Sequence, residues 1–110
     1  MKNILLIIAL VAFSSSATAG YNANFKGKVT HVLTYTYTTQ ILVKVEGQPT
    51  THPECSNLDY LTIDPATSDQ IREIVLSRLL VAYTTGEEVN IGYDKDSSCV
   101  NGRIKIFRVG

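Results

Sequence analysis

Residues 67–86 read TSDQIREIVLSRLLVAYTTG, and this stretch contains the helical signature that decides the fold. Thr67 and Gln70 have the spacing of a capping box, in which two side chains satisfy free N–H groups at the start of a helix. Gly86 is placed to end the helix, because glycine readily adopts the left-handed conformation found at helix C-termini. The stretch therefore predicts one helix over residues 68–84.

Three strands are predicted before the helix, because apolar and polar residues alternate there and β-branched and aromatic residues are frequent. The longest covers residues 25–37, and its alternation places His31 on the face that turns toward the core. Residues 41–46 and 58–63 form the second and third strands. Residues 38–40 are the predicted turn between the first two.

Two strands are predicted after the helix, over residues 88–94 and 103–107, with a polar loop between them. The protein is therefore mainly β with one helix, in the order β-β-β-α-β-β. Five short strands must bury one face of their sheet, and closing the sheet into a barrel removes its exposed edges. We expect a five-stranded OB-fold barrel, with a split α+β sandwich as the alternative.

The N-terminus has the features of a secretory signal peptide. Lys2 supplies a positive charge, residues 4–13 are an unbroken apolar run, and Ala17-Thr18-Ala19 is the small-x-small pattern that signal peptidase recognises. Ten apolar residues extend about 15 Å as a helix, roughly half of a bilayer core, so a membrane anchor is disfavoured. We expect a cleaved signal peptide over residues 1–19. The remaining residues 20–110 are then a single OB-fold domain that is secreted or periplasmic and not inserted in a membrane.

Cys55 and Cys99 are the two cysteines of the chain. In a small exported domain an even number of cysteines indicates disulfides, and two cysteines leave a single pairing. The bridge closes a loop of 45 residues, which stabilises the fold by roughly 4 kcal/mol in chain-entropy terms. The alternative, a metal site or a catalytic thiol, lacks ligands because the chain has only two histidines, His31 and His52. We expect a structural disulfide and no metal site.

The apolar arc of the predicted helix is unusually wide. At about 100° per residue it covers more than about 200°, whereas a helix lying on its own sheet needs a stripe only somewhat wider than about 100°. One interpretation is that the helix packs on its own sheet and also against a neighbouring subunit. The other is that long loops cover it while Arg72 and Arg78 extend to water. Under the first interpretation the oligomer interface consists of Ile74, Leu76, Arg78, Leu80, Val81 and Tyr83.

The sequence carries no motif for catalysis or for a cofactor. It lacks G-x-S-x-G, H-E-x-x-H, a glycine-rich phosphate loop and C-x-x-C. His31 is interpreted as a hydrogen-bonded core or interface residue, and His52 as a solvated loop residue. Ten basic and ten acidic residues leave no net charge, which disfavours nucleic acid as a partner. We expect a protein that is not an enzyme and binds no cofactor.

A segment of alternating threonine and tyrosine at the end of the first strand is the candidate ligand-binding site. Tyrosine rings stack on sugar faces, and hydroxyl groups form hydrogen bonds with sugars at little entropic cost. Threonine and tyrosine are also common in strands, so a plain strand end is the alternative interpretation. The segment, called the Thr/Tyr segment below, consists of Thr34, Tyr35, Thr36, Tyr37 and Thr38.

Residues 74–99 contain a helix end reading LVAYTTG, a strand reading EVNI and a cysteine loop. With GKV at residues 27–29 and ILV at residues 41–43, this layout resembles the B subunits of AB5 bacterial toxins, in particular the subtilase and pertussis types and their small secreted relatives. The resemblance implies a ring, usually of five barrels, with helices lining a central pore and a glycan-binding face toward host cells. The chain is shorter than the subtilase-type subunits, and no glycan-contacting residue of these families is carried over to it.

Two classes of function remain. The first is an oligomeric module whose partners are copies of itself and host glycans. The second is a monomeric secreted or periplasmic OB-fold protein that binds a small ligand, a peptide or a target enzyme as an inhibitor. Self-association through the helix distinguishes the two classes, because only the first needs it.

Overall fold

The computed structural model of the protein describes residues 20–110, and the predicted signal peptide lies outside the described residues. The fold is mainly β with one helix, and three strands precede the helix as predicted. The elements are β1 (Ala23–Thr34), β2 (Ile41–Val45), β3 (Leu61–Ile63), α1 (Asp69–Thr85), β4 (Glu88–Tyr93), β5 (Cys99–Val100), β6 (Arg103–Ile104) and β7 (Arg108–Val109).

Five of the strands form an antiparallel sheet in the order β3-β2-β1-β4-β7, and β5 and β6 form a separate hairpin. The long β1 strand pairs twice, through its first half with β4 and through its second half with β2. A single parallel bridge between Thr62 and Lys105 joins the β3 edge to the segment that leads into β7. Because no continuous ladder closes the sheet there, the predicted closed barrel is not confirmed.

A β-bulge in β1 changes which side chains face the core. The register with β2 shifts between Val29 and His31, so Thr30 is an extra residue. An extra residue reverses the faces of all side chains that follow it. Val29 is buried before the bulge, and Val32 packs against the core after it. The prediction that His31 faces inward is therefore wrong: its side chain is exposed and its Nδ1 atom lies 3.0 Å from the Thr30 Oγ1 atom.

The predicted strand over residues 103–107 is confirmed only for Arg103–Ile104, which form β6, and the next strand, β7, begins at Arg108. Its backbone changes partners along the segment: the Ile106 N–H donates to the Thr62 carbonyl at 2.9 Å, and the next N–H, of Phe107, donates to the Gly92 carbonyl at 2.8 Å. A ladder needs one partner over consecutive residues, so this segment is not a continuous strand. Ile104 and Ile106 nevertheless face the core as the alternation predicted.

Helix α1 begins and ends with side-chain and backbone caps. The Ser68 Oγ atom accepts the backbone N–H of Ile71 at 3.4 Å, which makes Ser68 the N-cap. The prediction of a capping box between Thr67 and Gln70 is wrong by one residue. Gly86 ends the helix as predicted, with a left-handed φ of 76°.

The core lies between the inner face of the sheet and α1. Only Leu79 and Ala82 of the helix are fully buried, while Val75 and Leu76 pack against the core in part. The helix therefore contributes a narrow stripe to the core, and most of its surface remains outside it. The buried cluster consists of Val29, Ile41, Val43, Val45, Cys55, Leu61, Ile63, Leu79, Ala82, Val89, Ile91, Ile104 and Ile106.

Candidate functional site

The Thr/Tyr segment lies at one end of the sheet, mostly in the loop between β1 and β2. Thr34 is the last residue of β1, so the strand ends earlier than predicted and the next four residues leave the sheet. Tyr37 is 82% exposed, and its ring centroid lies 5.8 Å from that of the half-buried Tyr35, with the ring planes inclined at 60°. The hydroxyl-bearing Thr36 and Thr38 are exposed beside them. The segment is thus a projecting surface of two aromatic rings and several hydroxyl groups.

Arg72 of α1 holds this loop from the helix side. Its Nη2 atom donates to the backbone carbonyl of Thr39, and its Nη1 atom lies 3.3 Å from the Asp69 carboxylate. The Arg72 side chain is 13% exposed, and its Nε atom has no hydrogen-bond partner among residues 20–110. Sequence reasoning missed this role, because the contact joins residues 33 positions apart and Arg72 appears in the helix only as an interruption of the apolar arc.

A cavity of about 210 Å³ lies next to Arg72, between the first half of α1 and the start of β2. Its walls combine apolar side chains with a guanidinium and two carboxylates. The cavity shares Arg72 with the contact that holds the loop. The lining residues are Ile41, Asp69, Arg72, Glu73 and Leu76.

The predicted oligomer interface is an exposed apolar helix face in this structure. Ile74 is 64% exposed, and Leu80, Val81 and Tyr83 are between 43% and 53% exposed. Ile71, which was not predicted in the interface, is also 53% exposed. No segment of residues 20–110 covers these side chains.

The other two predicted interface residues are half-buried. Leu76 packs against the core. The Arg78 Nη2 atom lies 3.0 Å from the Glu87 carboxylate, in a salt bridge at the surface. Arg78 therefore extends to solvent from the edge of the helix face.

A groove of about 320 Å³ lies along the last two turns of α1, lined by Leu80, Val81, Thr84 and Thr85. The Thr84 hydroxyl donates to the Leu80 carbonyl at 2.8 Å, and the Thr85 hydroxyl donates to the Val81 carbonyl at 3.0 Å. Both hydroxyl protons are used within the helix, as is common for threonine four residues after its acceptor. The groove is therefore less polar than its threonine content suggests.

Cys55 and Cys99 form the predicted disulfide, with their Cα atoms 5.5 Å apart. His52 supports it from one side. The His52 Nδ1 atom accepts the backbone N–H groups of Glu54 at 3.1 Å and of Cys55 at 3.0 Å, and the Nε2 atom lies 2.9 Å from the Asp94 carbonyl oxygen. These contacts require a neutral imidazole with its proton on Nε2. The prediction of a solvated His52 is wrong, although its position three residues before Cys55 was a usable signal.

The His52 ring and the two cysteine sulfurs lie close together, with potential ligand atoms within 4.8 Å of one another. This cluster is not arranged to bind a metal ion. The sulfurs of Cys55 and Cys99 are bonded to each other, so neither is a thiolate. Both ring nitrogens of His52 already have hydrogen-bond partners.

Asp94 organises the loop that leads to Cys99. One carboxylate oxygen accepts the N–H groups of Asp96 at 2.9 Å and Ser97 at 3.1 Å, and the other accepts the hydroxyls of Ser97 at 3.0 Å and Ser98 at 3.2 Å. These hydrogen bonds, above all the one from the Asp96 N–H, lower the pKa of Asp94 to about 2. The carboxylate therefore serves the loop rather than a ligand.

Comparison of the chain with protein families, curated proteins and solved structures finds no match. Among residues 20–110, no helix is long and apolar enough to cross a membrane.

Proposed function

We propose that the chain is a non-enzymatic, secreted binding module that assembles with copies of itself through α1 and binds glycans through the Thr/Tyr segment. The exposed helix face carries this proposal, since five large apolar side chains of one helix are exposed. Three of them, Ile71, Ile74 and Val81, lie within about 80° of one another on one side of the helix, and clustered exposed apolar side chains mark interaction sites. Glycans of host cells are the proposed ligands, as the resemblance to toxin B subunits implies.

Self-association is supported by the spacing of the exposed side chains along α1. Ile74 and Val81 are seven residues apart and lie on the same side of the helix, whereas Leu80 is turned about 100° away from Val81. In a closed ring the interfaces are heterologous, so each copy packs against its two neighbours through two different surfaces. Burial of one such side chain contributes about 1.5–3 kcal/mol when it is complete. A ring of five subunits is the assembly that we propose.

Secretion is supported by two independent features. The disulfide between Cys55 and Cys99 belongs to an oxidising compartment, such as the periplasm or the extracellular space. Residues 1–19 have the charge, apolar run and cleavage pattern of a signal peptide.

We also propose that the fold is an OB-fold in which hydrogen-bonded strand pairing does not continue around the whole barrel. The helix lies between the third and fourth strands, and the parallel bridge between Thr62 and Lys105 brings the last segment next to β3. In OB-folds the loop between the first two strands is part of the surface that binds oligosaccharides and oligonucleotides. The Thr/Tyr segment occupies that loop, which supports its role as a ligand-binding site.

Glycan binding is supported by the chemistry of the Thr/Tyr segment. Tyr37 offers an accessible ring face, which suits the apolar face of a sugar. Thr36 and Thr38 supply exposed hydroxyl groups that can both donate and accept hydrogen bonds. The two tyrosines contact each other, so less ring mobility is lost when a ligand binds.

The mass in solution of oxidised residues 20–110, measured by light scattering after size exclusion, tests the assembly. We expect a discrete oligomer, and we expect Val81→Glu to lower the mass because it places a charge in the interface. Asn24→Glu introduces the same charge at an exposed position of β1 and is the matched control. A monomer at high concentration would contradict the assembly and favour the second class, a monomeric OB-fold protein that binds a small ligand, a peptide or a target enzyme.

A further inference from the structure

Four side chains lie side by side on the outer face of the sheet and of the adjoining β6 strand, and we call them the cation–aromatic row: His31, Lys44, Tyr60 and Arg103. Lys44 is the pairing partner of His31 in the β1–β2 ladder. The β2–β3 ladder and the parallel bridge near β6 continue the row to Tyr60 and Arg103. The row exists only in the folded chain, because its members come from four separate segments.

The row faces away from the core. Val43, Leu61 and Ile104 are the sequence neighbours of its members, and all three are buried against the helix side of the sheet. Side chains of successive strand residues point to opposite faces, so the members of the row point outward. The bulge in β1 is what brings His31 to this face.

Tyr60 is the centre of the row. The Lys44 Nζ atom lies 5.2 Å from the Tyr60 ring centroid, and the Arg103 guanidinium carbon lies 5.9 Å from it. The His31 ring meets Tyr60 edge-on, with centroids 6.1 Å apart and planes at 81°. Cations at these distances are attracted by the ring electrons, so the tyrosine fixes the positions of both charges.

Of the two cations of the row, Arg103 has a carboxylate partner and Lys44 has none among residues 20–110. Arg103 forms a salt bridge with Asp59. Lys44 has no carboxylate within salt-bridge distance among residues 20–110, and its side chain is half-buried beside the ring. A positioned ammonium group without a counter-charge, next to aromatic surface, is suited to a ligand that carries both an anionic group and an apolar face.

We infer that the cation–aromatic row binds the carboxylate or sulfate group of an acidic saccharide, with the anion on Lys44 and the sugar ring against His31 and Tyr60. That the ligand is a saccharide depends on the proposed function, whereas its negative charge is inferred from the cation–aromatic row itself. Tyr35 directly follows the end of β1, four residues after His31, which is at most about 13 Å along an extended chain. An oligosaccharide of several units therefore reaches from the row to the Thr/Tyr segment.

Calorimetric titration of oxidised residues 20–110 with three tetrasaccharides tests this inference. The probes are chitotetraose, which is neutral, a hyaluronan tetrasaccharide, which carries carboxylates, and a heparin-derived tetrasaccharide, which also carries sulfates. We expect one or both acidic probes to bind more tightly than chitotetraose and to weaken as salt is added, because salt screens charge attraction. The two acidic probes distinguish carboxylate from sulfate recognition.

Lys44→Met removes the charge and retains most of the side-chain stem. We expect it to weaken binding of the acidic probe by about tenfold or more, and we expect Lys44→Arg to restore most of the affinity. Lys26→Met is the control, since it removes the same charge from an exposed position in the other half of β1. Circular dichroism of all three variants verifies that each is folded.

Three outcomes would overturn the inference. Equal binding of acidic and neutral probes would mean that saccharides bind without the row. The proposed glycan-binding function would then be retained and the inference about the row rejected. Binding that Lys44→Met does not weaken more than Lys26→Met would remove the row from the site. Binding of none of the probes, while an octaglutamate peptide binds in a Lys44-dependent way, would identify an acidic peptide as the ligand and contradict both proposals.

Discussion

The carbonyl oxygen of Thr39 accepts a hydrogen bond from the guanidinium of Arg72. This contact connects the loop that carries Tyr35 and Tyr37 to the helix. A ligand-binding loop that is held in place loses less freedom on binding. The helix thus has two roles in our proposals, one toward neighbouring subunits and one toward the ligand.

Arg72→Met is expected to destabilise the fold and to weaken ligand binding together. Loss of the bond to the exposed Thr39 carbonyl removes the net contribution of one hydrogen bond, about 0.5–1.5 kcal/mol. The freed loop must then be ordered again when the ligand binds. Urea denaturation and saccharide titration measure the two effects. Arg78→Met is the matched control, because its salt bridge with Glu87 is exposed and contributes only about 0–1 kcal/mol. Equal effects of the two variants would contradict a special role for Arg72.

Tyr37→Ala is expected to weaken saccharide binding without changing stability. The ring is almost fully exposed, so its removal creates no cavity, while the loss of stacking lowers affinity by roughly two- to tenfold. Titration with the best-binding tetrasaccharide and thermal unfolding measure the two quantities. Tyr21→Ala, at an exposed tyrosine outside the loop, is the control. If both variants bind as the native protein does, the Thr/Tyr segment is not the site.

Reduction of the bridge between Cys55 and Cys99 is expected to lower the melting temperature by about 10 °C or more. The bridge closes a long loop that contains α1, and a loop of this size contributes about 3–4 kcal/mol. In a domain of this length each kcal/mol shifts the melting temperature by about 4–8 °C. Differential scanning calorimetry with and without reductant measures the shift. The double variant Cys55→Ser/Cys99→Ser checks that the reductant acts only on the bridge, and an unchanged melting temperature would show that the bridge does not stabilise the fold.

Asp94 is expected to contribute to the loss of stability below pH 4. The pKa of Asp94 is lowered to about 2 in the folded protein, while an unfolded aspartate has a pKa of about 3.9. The stabilisation from its ionised form is therefore complete above about pH 4 and is lost as the pH falls toward 2. Asp94→Asn is expected to be less stable at pH 6 and to lose less stability between pH 4 and pH 2. Parallel pH dependence in the variant and the native protein would contradict this assignment.

The fold could be predicted from the sequence where local patterns decide the structure. The alternation in β2 and the position of Gly86 each correspond to the observed element, because strand periodicity and helix termination depend on few neighbours. The bulge at Thr30 could not be predicted, since an extra residue becomes visible only against the partner strand. The end of β6 at Ile104, three residues before the predicted end, depends likewise on backbone partners of the following residues, Thr62 and Gly92, that lie far away in the sequence.

The candidate site was predictable to a similar degree. The wide apolar arc predicted an exposed helix face, and Ile74 and Val81 lie there. Arg72 and the cation–aromatic row could not be found, because they depend on contacts between distant segments. Lys44 and Tyr60 are sixteen positions apart in the sequence, and only the register of β2 and β3 brings them together.

The bridge between Cys55 and Cys99 also determines what proteolysis does to the molecule. A single cut anywhere between the two cysteines, including a tryptic cut after Arg78 on the half-exposed helix, leaves the two fragments covalently joined. After the cut at Arg78, strands β1 and β2 lie on one fragment and β4 on the other, and the β1–β4 ladder still holds the fragments together. A nicked molecule therefore retains its mass on a non-reducing gel and separates into two fragments only after reduction.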